Sequence, residues 1–175
     1  MVRRPDNDYS MVLLIMGVAG SGKSLIGSML AKSLNWTFAD ADEFHPPANI
    51  EKMSHGIPLT DEDREPWLRA MHAAIEGWTR SGENAVLACS ALKQRYREVL
   101  TSGTPTRIVF LKGSPDLIER RLLERQNHFM KSEMLTSQFA DLEEPEDAMV
   151  VDISQTPEQI VAEIRRNLRE SVPSV

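Results

Sequence analysis

Apolar positions fall along this chain in two alternating rhythms. Met11–Met16 (MVLLIM) is a continuous apolar run, the pattern of a strand covered on both faces. A glycine-rich turn follows, after which Leu25, Ile26, Met29, Leu30 and Leu34 recur at helical spacing. Thr37–Ala39 predicts a short second strand. Asp61 is placed to cap a helix running to about Thr79, with Pro66 near its first turn. The apolar stripe of that helix is Trp67, Met71, Ile75 and Trp78, and both tryptophans read as core. Ala85–Cys89 predicts a buried third strand, and a basic helix follows from about Lys93 to Leu100. Arg107–Leu111 predicts a fourth strand, after which Ser114 and Pro115 form an N-cap and N1 pair opening a helix towards Gln126. Met149–Ile153 predicts the last strand. Thr156-Pro157-Glu158-Gln159 has capping-box spacing for a final helix lined by Ile160, Val161, Ile164 and Leu168. Strands alternating with helices predict an α/β fold on a mostly parallel sheet. Residues 127–145 break the rhythm and are expected to form an inserted, irregular, mobile segment. Residues 1–10 are polar and expected to be a flexible tail, leaving a single domain over residues 11–170.

Composition narrows the class. A chain of 175 residues suits one compact domain. Lys plus Arg total 20 against 26 for Asp plus Glu, a net charge of −6, which argues against nucleic acid as a partner. The apolar run at Met11–Met16 is too short to span a bilayer, and Asp6 and Asp8 interrupt any secretory leader. The single cysteine, Cys89, leaves no intrachain disulfide, fits a reducing compartment, and is expected as a small buried residue at a strand end. The four histidines lack zinc spacing. These features predict a soluble cytoplasmic protein with no membrane partner.

Chemistry enters at the first glycine-rich turn. Gly17, Val18, Ala19, Gly20, Ser21, Gly22, Lys23 and Ser24 match G-x-x-x-x-G-K-[ST] at every fixed position. Such a loop curls backbone N–H groups around a polyphosphate, and the helix after it presents its positive end. Lys23 is placed to reach the β- and γ-phosphates, and the Ser24 hydroxyl to ligate Mg²⁺. ATP and Mg²⁺ are the implied cofactors. Asp40 and Asp42 fall at the end of the second strand, where strict alternation would point both to one side. There they could hold metal waters and receive a proton from an attacking hydroxyl, although a polar loop after a strand gives the same spacing. Arg121 and Arg125 lie one helical turn apart at the mouth of segment 127–145, as suits a lid that neutralises a transferring phosphoryl group. Lys93, Arg95 and Arg97 follow the third strand and suggest an anionic second substrate, although a solvated face explains Arg95 equally well.

The remaining motifs identify a resemblance. GVAGSGKS is joined by DADEFHPPANIEKM at Asp40–Met53, GIPLTDEDREPWL at Gly56–Leu68, CSALKQRYR at Cys89–Arg97 and HFMKSEMLTSQFADLEEP at His128–Pro145. Together these resemble the gluconokinase family of P-loop small-molecule kinases, over about Met11 to Ile153. Asn127 departs from the family, where a glycine is common. The resemblance implies a three-layer P-loop kinase fold with a five-stranded parallel sheet in the order 2-3-1-4-5, a mobile lid over about 127–145, and often a homodimer. It implies ATP-dependent phosphorylation of D-gluconate at the 6-hydroxyl. Carried over by position, Lys23 and Ser24 serve ATP and Mg²⁺, Asp40 joins the metal site, and Arg121 and Arg125 serve the nucleotide through the lid. Lys23, Asp42 and Arg125 become the catalytic candidates, with Asp42 as base or hydroxyl-orienting group. His45, Arg64, Lys93, Arg97 and Gln138 become the substrate contacts beside Asp42. Two other readings stay open on the residues alone: a related kinase acting on shikimate or a nucleoside monophosphate, and a hydrolytic P-loop switch. The second lacks the guanine-specifying N-K-x-D.

Overall fold

In the computed structural model, residues 10–125 and 132–170 are described. The tail expected over residues 1–10 lies outside them apart from Ser10, as do residues 127–131 of the expected lid, Asn127 included. The elements in order are β1 (Val12–Met16), α1 (Lys23–Leu34), β2 (Thr37–Asp40), a short 3₁₀ helix (Ala41–Phe44), α2 (Pro47–Ser54), α3 (Asp61–Ser81), β3 (Ala85–Ala88), α4 (Gln94–Thr101), β4 (Thr106–Lys112), α5 (Pro115–Glu124), α6 (Ser132–Asp141), β5 (Met149–Asp152) and α7 (Pro157–Glu170). All four strand pairings are parallel, and the sheet order is β2-β3-β1-β4-β5. The fold is therefore α/β, with the sheet order expected.

The central strand explains the layering. All five residues of β1 are buried, because helices cover both faces. Leu13 and Ile15 face the layer of α1, α5 and α7, meeting Ile26, Leu30, Ile118, Ile160 and Ile164. Val12, Leu14 and Met16 face α3 and α4, meeting Met71, Ile75, Tyr96 and Leu100. Strand alternation thus splits one apolar run between two cores. Parallel pairing brings the carboxyl ends of β1, β2, β3 and β4 to one edge, and the chemistry-bearing loops gather there.

Three local expectations are corrected. The N-cap of α3 is Thr60, not Asp61: its side chain accepts from the Asp63 amide while the Asp63 carboxylate accepts from the Thr60 amide, a complete capping box. Pro66 lies beyond the first turn, inside α3. Within segment 127–145, residues 132–141 are not irregular: they form α6, which buries Leu135. The stretch after β2, which carries no long apolar period, folds as the 3₁₀ helix and α2. Cys89 is buried as expected, and burial pushes its thiol up to about 12. Thr60→Ala removes one partner of the capping box and is expected to lower stability by about 1 kcal/mol, read as a shift in the urea midpoint at unchanged m-value.

Candidate active site

The turn from β1 into α1 leaves backbone donors unused. Gly20 and Gly22 take φ of 80° and 92°, a region that suits glycine. A Cβ at Gly20 would also come within 2.8 Å of Leu122 on α5, so the loop can pack under that helix only without one. No side chain caps α1, and its first internal bond runs from Ile26 N–H to the Gly22 carbonyl. The amides ahead of it point outward with the positive end of the helix. A cavity of about 300 Å³ lies against this end, lined by Gly20, Gly22, Lys23, Ser24, Leu25 and Arg125. Of the two lid arginines only Arg125 reaches it. Arg121 instead donates to the Ile153 carbonyl at the end of β5.

A second cavity of about 280 Å³ lies on the other side of Lys23 and Ser24. Asp40, Asp42, His45, Arg64, Trp67, Cys89, Ser90 and Gln138 complete its wall with Ala19. Asp40 and Asp42 do meet here, but not through strand alternation. The strand stops at Asp40, whose Oδ1 accepts the Asp42 amide at 3.0 Å and turns the chain into the 3₁₀ helix. Asp40 Oδ2 accepts the Ser24 hydroxyl, joining the phosphate loop to the end of β2. Lys23 Nζ donates to the Val18 carbonyl at 3.1 Å. Burial lowers its pKa from the ordinary value, while Cys89, Asp40 and Asp42 pull it back up. His45 stacks on Trp67 with ring centroids 4.5 Å apart, and the Trp67 indole donates to the Ala41 carbonyl at 2.7 Å. Burial lowers the His45 pKa from its ordinary value, opposed by Asp42 and aided by Arg64, which favours the neutral ring.

A third cavity of about 660 Å³ shares Leu59, Arg64, Trp67, Ser90 and Gln138 with the second and opens outward. Lys93 and Tyr96 line it, together with Met53, Ile57 and Met134. Gln138 sits where the loops converge: its Oε1 accepts the Ala19 amide at 2.6 Å, tying α6 to the phosphate loop. A further cavity, of about 950 Å³, lies beneath α6 on the β4–β5 side. Its one cation, Lys112, is paired with Glu144 at 2.8 Å, so the convergent polar groups belong to the smaller cavities.

Arg97 is not a substrate contact in this arrangement. It is 2% exposed and lines neither acceptor-side cavity. Its guanidinium donates to the carbonyls of Ala91 (2.7 Å), Leu92 (3.0 Å) and Glu143 (2.7 Å) and to Gln94 Oε1 (3.0 Å). Ala91 holds a φ of 44°, unfavourable for a residue with a Cβ, and the Arg97 bond fixes it there. Arg97 therefore shapes the β3–α4 loop that presents Ser90 and Lys93. The sequence gives a basic residue after a strand in either case; only burial separates a strut from a ligand. Trp67 was legible as core, and its second role as cavity wall was not.

Comparison with known proteins agrees with this geometry. A family model described as shikimate kinase matches residues 19–169. A probable gluconokinase from Xenopus tropicalis is 45% identical over 173 residues, covering 88% of this chain and 91% of its own length. The thermoresistant gluconokinase of Escherichia coli K12 is 46% identical over 156 residues, covering 86% of this chain and 89% of its own. The crystal structure of a gluconokinase from Sinorhizobium meliloti 1021 superposes with a TM-score of 0.77 at 40% identity, covering 94% of this chain and 99% of that one.

Arg97→Ala takes the guanidinium away from the carbonyls of Ala91, Leu92 and Glu143 and is expected to cost about 3 kcal/mol of stability, read by urea unfolding. The acceptor KM of the folded fraction should stay within about threefold of wild type, since each 1.4 kcal/mol of lost contact would be tenfold.

Proposed function

The chain belongs to the gluconokinase family of P-loop kinases, and from that premise we propose how its residues phosphorylate D-gluconate at the 6-hydroxyl with ATP, giving 6-phospho-D-gluconate and ADP. The observation that carries the reading is the meeting of Lys23, Ser24, Asp40 and Asp42 with Arg64 in one cavity. The first four suit phosphoryl transfer, and Arg64 suits an anionic acceptor.

ATP lays its phosphates along Gly17–Ser24, with the γ-phosphate toward Lys23 and the shared wall of the two cavities. Lys23 and Arg125 spread the charge that develops on the equatorial oxygens. Asp42 orients the 6-hydroxyl and accepts its proton as the oxygen bonds to phosphorus and the bond to ADP breaks. The donor set beside Lys23 is all oxygen: the Ser24 hydroxyl and the Asp40 carboxylate. That set fits Mg²⁺, which favours one or two protein oxygens, substrate phosphates and water. No cluster of three or more His, Cys, Asp or Glu able to hold a metal exists among the described residues. When bound, Mg²⁺ neutralises the β- and γ-phosphate oxygens.

Arg64 and Lys93 receive the carboxylate end of gluconate, at the outer cavity they both line. His45, neutral and stacked, offers a ring nitrogen to the sugar hydroxyls, and Gln138 borders the acceptor from α6. Helix α6 covers the acceptor and excludes water from the γ-phosphate. No helix among the described residues is long and apolar enough to cross a membrane.

ATP turnover is expected to require gluconate, with glucose a poor substitute because it offers no carboxylate to Arg64 and Lys93; comparable kcat/KM for the two sugars would contradict the assignment. Lys23→Ala should reduce kcat about 10³-fold. Asp42→Asn should reduce it about 10²-fold or more while ATP affinity is largely kept. Collapse of ATP affinity in Asp42→Asn would move that carboxylate to the metal site.

A further inference from the structure

Asp61 lies at the first position of α3 and lines none of the cavities, yet it is the most heavily engaged carboxylate near them. Arg95 makes an ion pair with its Oδ2, and the Tyr96 hydroxyl donates to its Oδ1 at 2.5 Å. Arg64 and Lys93, the two cations that line the acceptor cavity, stand farther off at 3.7 and 4.0 Å. The same three cations surround the Tyr96 ring, with Arg64, Lys93 and Arg95 at 5.9, 5.7 and 5.2 Å from its centroid. Arg64 also donates to the Tyr96 hydroxyl at 3.3 Å. The direction of the chain is fixed by chemistry: a guanidinium only donates and a carboxylate only accepts, so the bonds run Arg64 to Tyr96 to Asp61.

Three like charges around one ring repel, and side chains as long as these would spread into water without a counter-charge. Asp61 supplies it from behind the cavity wall. Its short contacts are taken by Arg95 and Tyr96, so Arg64 and Lys93 are drawn into place while keeping donors for an incoming anion. A carboxylate acting as a competitor for the acceptor would hold Arg64 and Lys93 at short range instead. We propose that Asp61 is a positioning and specificity-determining residue, which pre-organises Arg64 and Lys93, partly through Tyr96, to clamp the carboxylate of the acceptor. Arg95 and the Tyr96 hydroxyl hold the Asp61 carboxyl down at about 2, so the counter-charge persists across the whole working pH range. The inference rests on the acceptor being an anionic sugar acid, as argued above.

The test is steady-state kinetics on the full chain with D-gluconate and ATP. Asp61→Asn keeps the size of the side chain and an acceptor for Tyr96 but removes the charge. It is expected to raise the KM for gluconate about tenfold, leaving kcat and the KM for ATP within twofold. Asp61→Glu, which restores the charge, should recover most of the affinity. Glu62→Gln removes an exposed charge from the same first turn of α3 and should leave the gluconate KM unchanged. A gluconate KM in Asp61→Asn that is unchanged or lower would overturn the proposal. So would an equal rise in Glu62→Gln, which would assign the effect to the helix dipole, or a parallel fall in kcat, which would mark a general loss of structure. Wild-type turnover that does not depend on gluconate would instead defeat the premise about the acceptor.

Discussion

A helix that begins without a cap is the constraint on which this molecule is organised. Thr60, Ser114 and Thr156 close the first turns of α3, α5 and α7 with side-chain oxygens. At α1 no side chain does so, and the orphan amides follow a loop whose two left-handed glycines keep them turned outward. Amides exposed in this way are met by water and stay available to an anion that replaces it. The surrounding structure holds the loop in that state from three sides. Helix α5 packs beneath Gly20, the Ser24 hydroxyl is tied to Asp40, and Gln138 accepts the Ala19 amide. The start of α1, uncapped by a side chain like those of α2 and α4, is set apart by the glycine loop before it and by the ties that pin that loop.

Charge is divided by burial into two kinds of work. Arg97 and Lys93 lie four residues apart and read alike in the sequence, but Arg97 spends its donors on main-chain carbonyls, including that of the strained Ala91. Lys93, the residue before α4, keeps its ammonium at the outer cavity. The buried member sets the loop, and the half-buried one keeps its charge at the cavity. Asp61 stands between these roles: it is exposed, and it acts on the cavity through groups that line it.

What was legible in the sequence follows the strength of each physical signal. The buried strands read clearly because Met11–Met16 and Ala85–Cys89 are covered on both faces, and the phosphate loop read clearly because few residue types can build it. The α6 segment was misread as irregular because its helix buries little, leaving a weak period. Asp40 and Asp42 were placed together for the wrong reason, since a cap by Asp40 on the following turn competes with strand alternation and wins. The ionic ring around Tyr96 was not readable at all. Its members come from α3 and the β3–α4 region, and nothing in their spacing says that they share one aromatic face.

The same tertiary ties join the two halves of the reaction. Helix α6 is anchored by Gln138 to the phosphate loop, and the residue two beyond its end, Glu143, is anchored to the acceptor loop: its amide donates to the Leu92 carbonyl at 2.9 Å, and its own carbonyl accepts from Arg97. An element tied to both loops cannot shift without disturbing the wall shared by the phosphate and acceptor cavities. The phosphate loop and the β3–α4 loop are thus joined by direct packed contacts through α6 and the residues after it. Gln138 is the narrowest point of that connection, because it lines both acceptor-side cavities while its Oε1 is held by the loop that receives the nucleotide. A kinase must keep its γ-phosphate from water until the acceptor is in place. Here the helix that borders the second and third cavities is fastened to the phosphate loop through Gln138, so one hydrogen bond joins the walls of both.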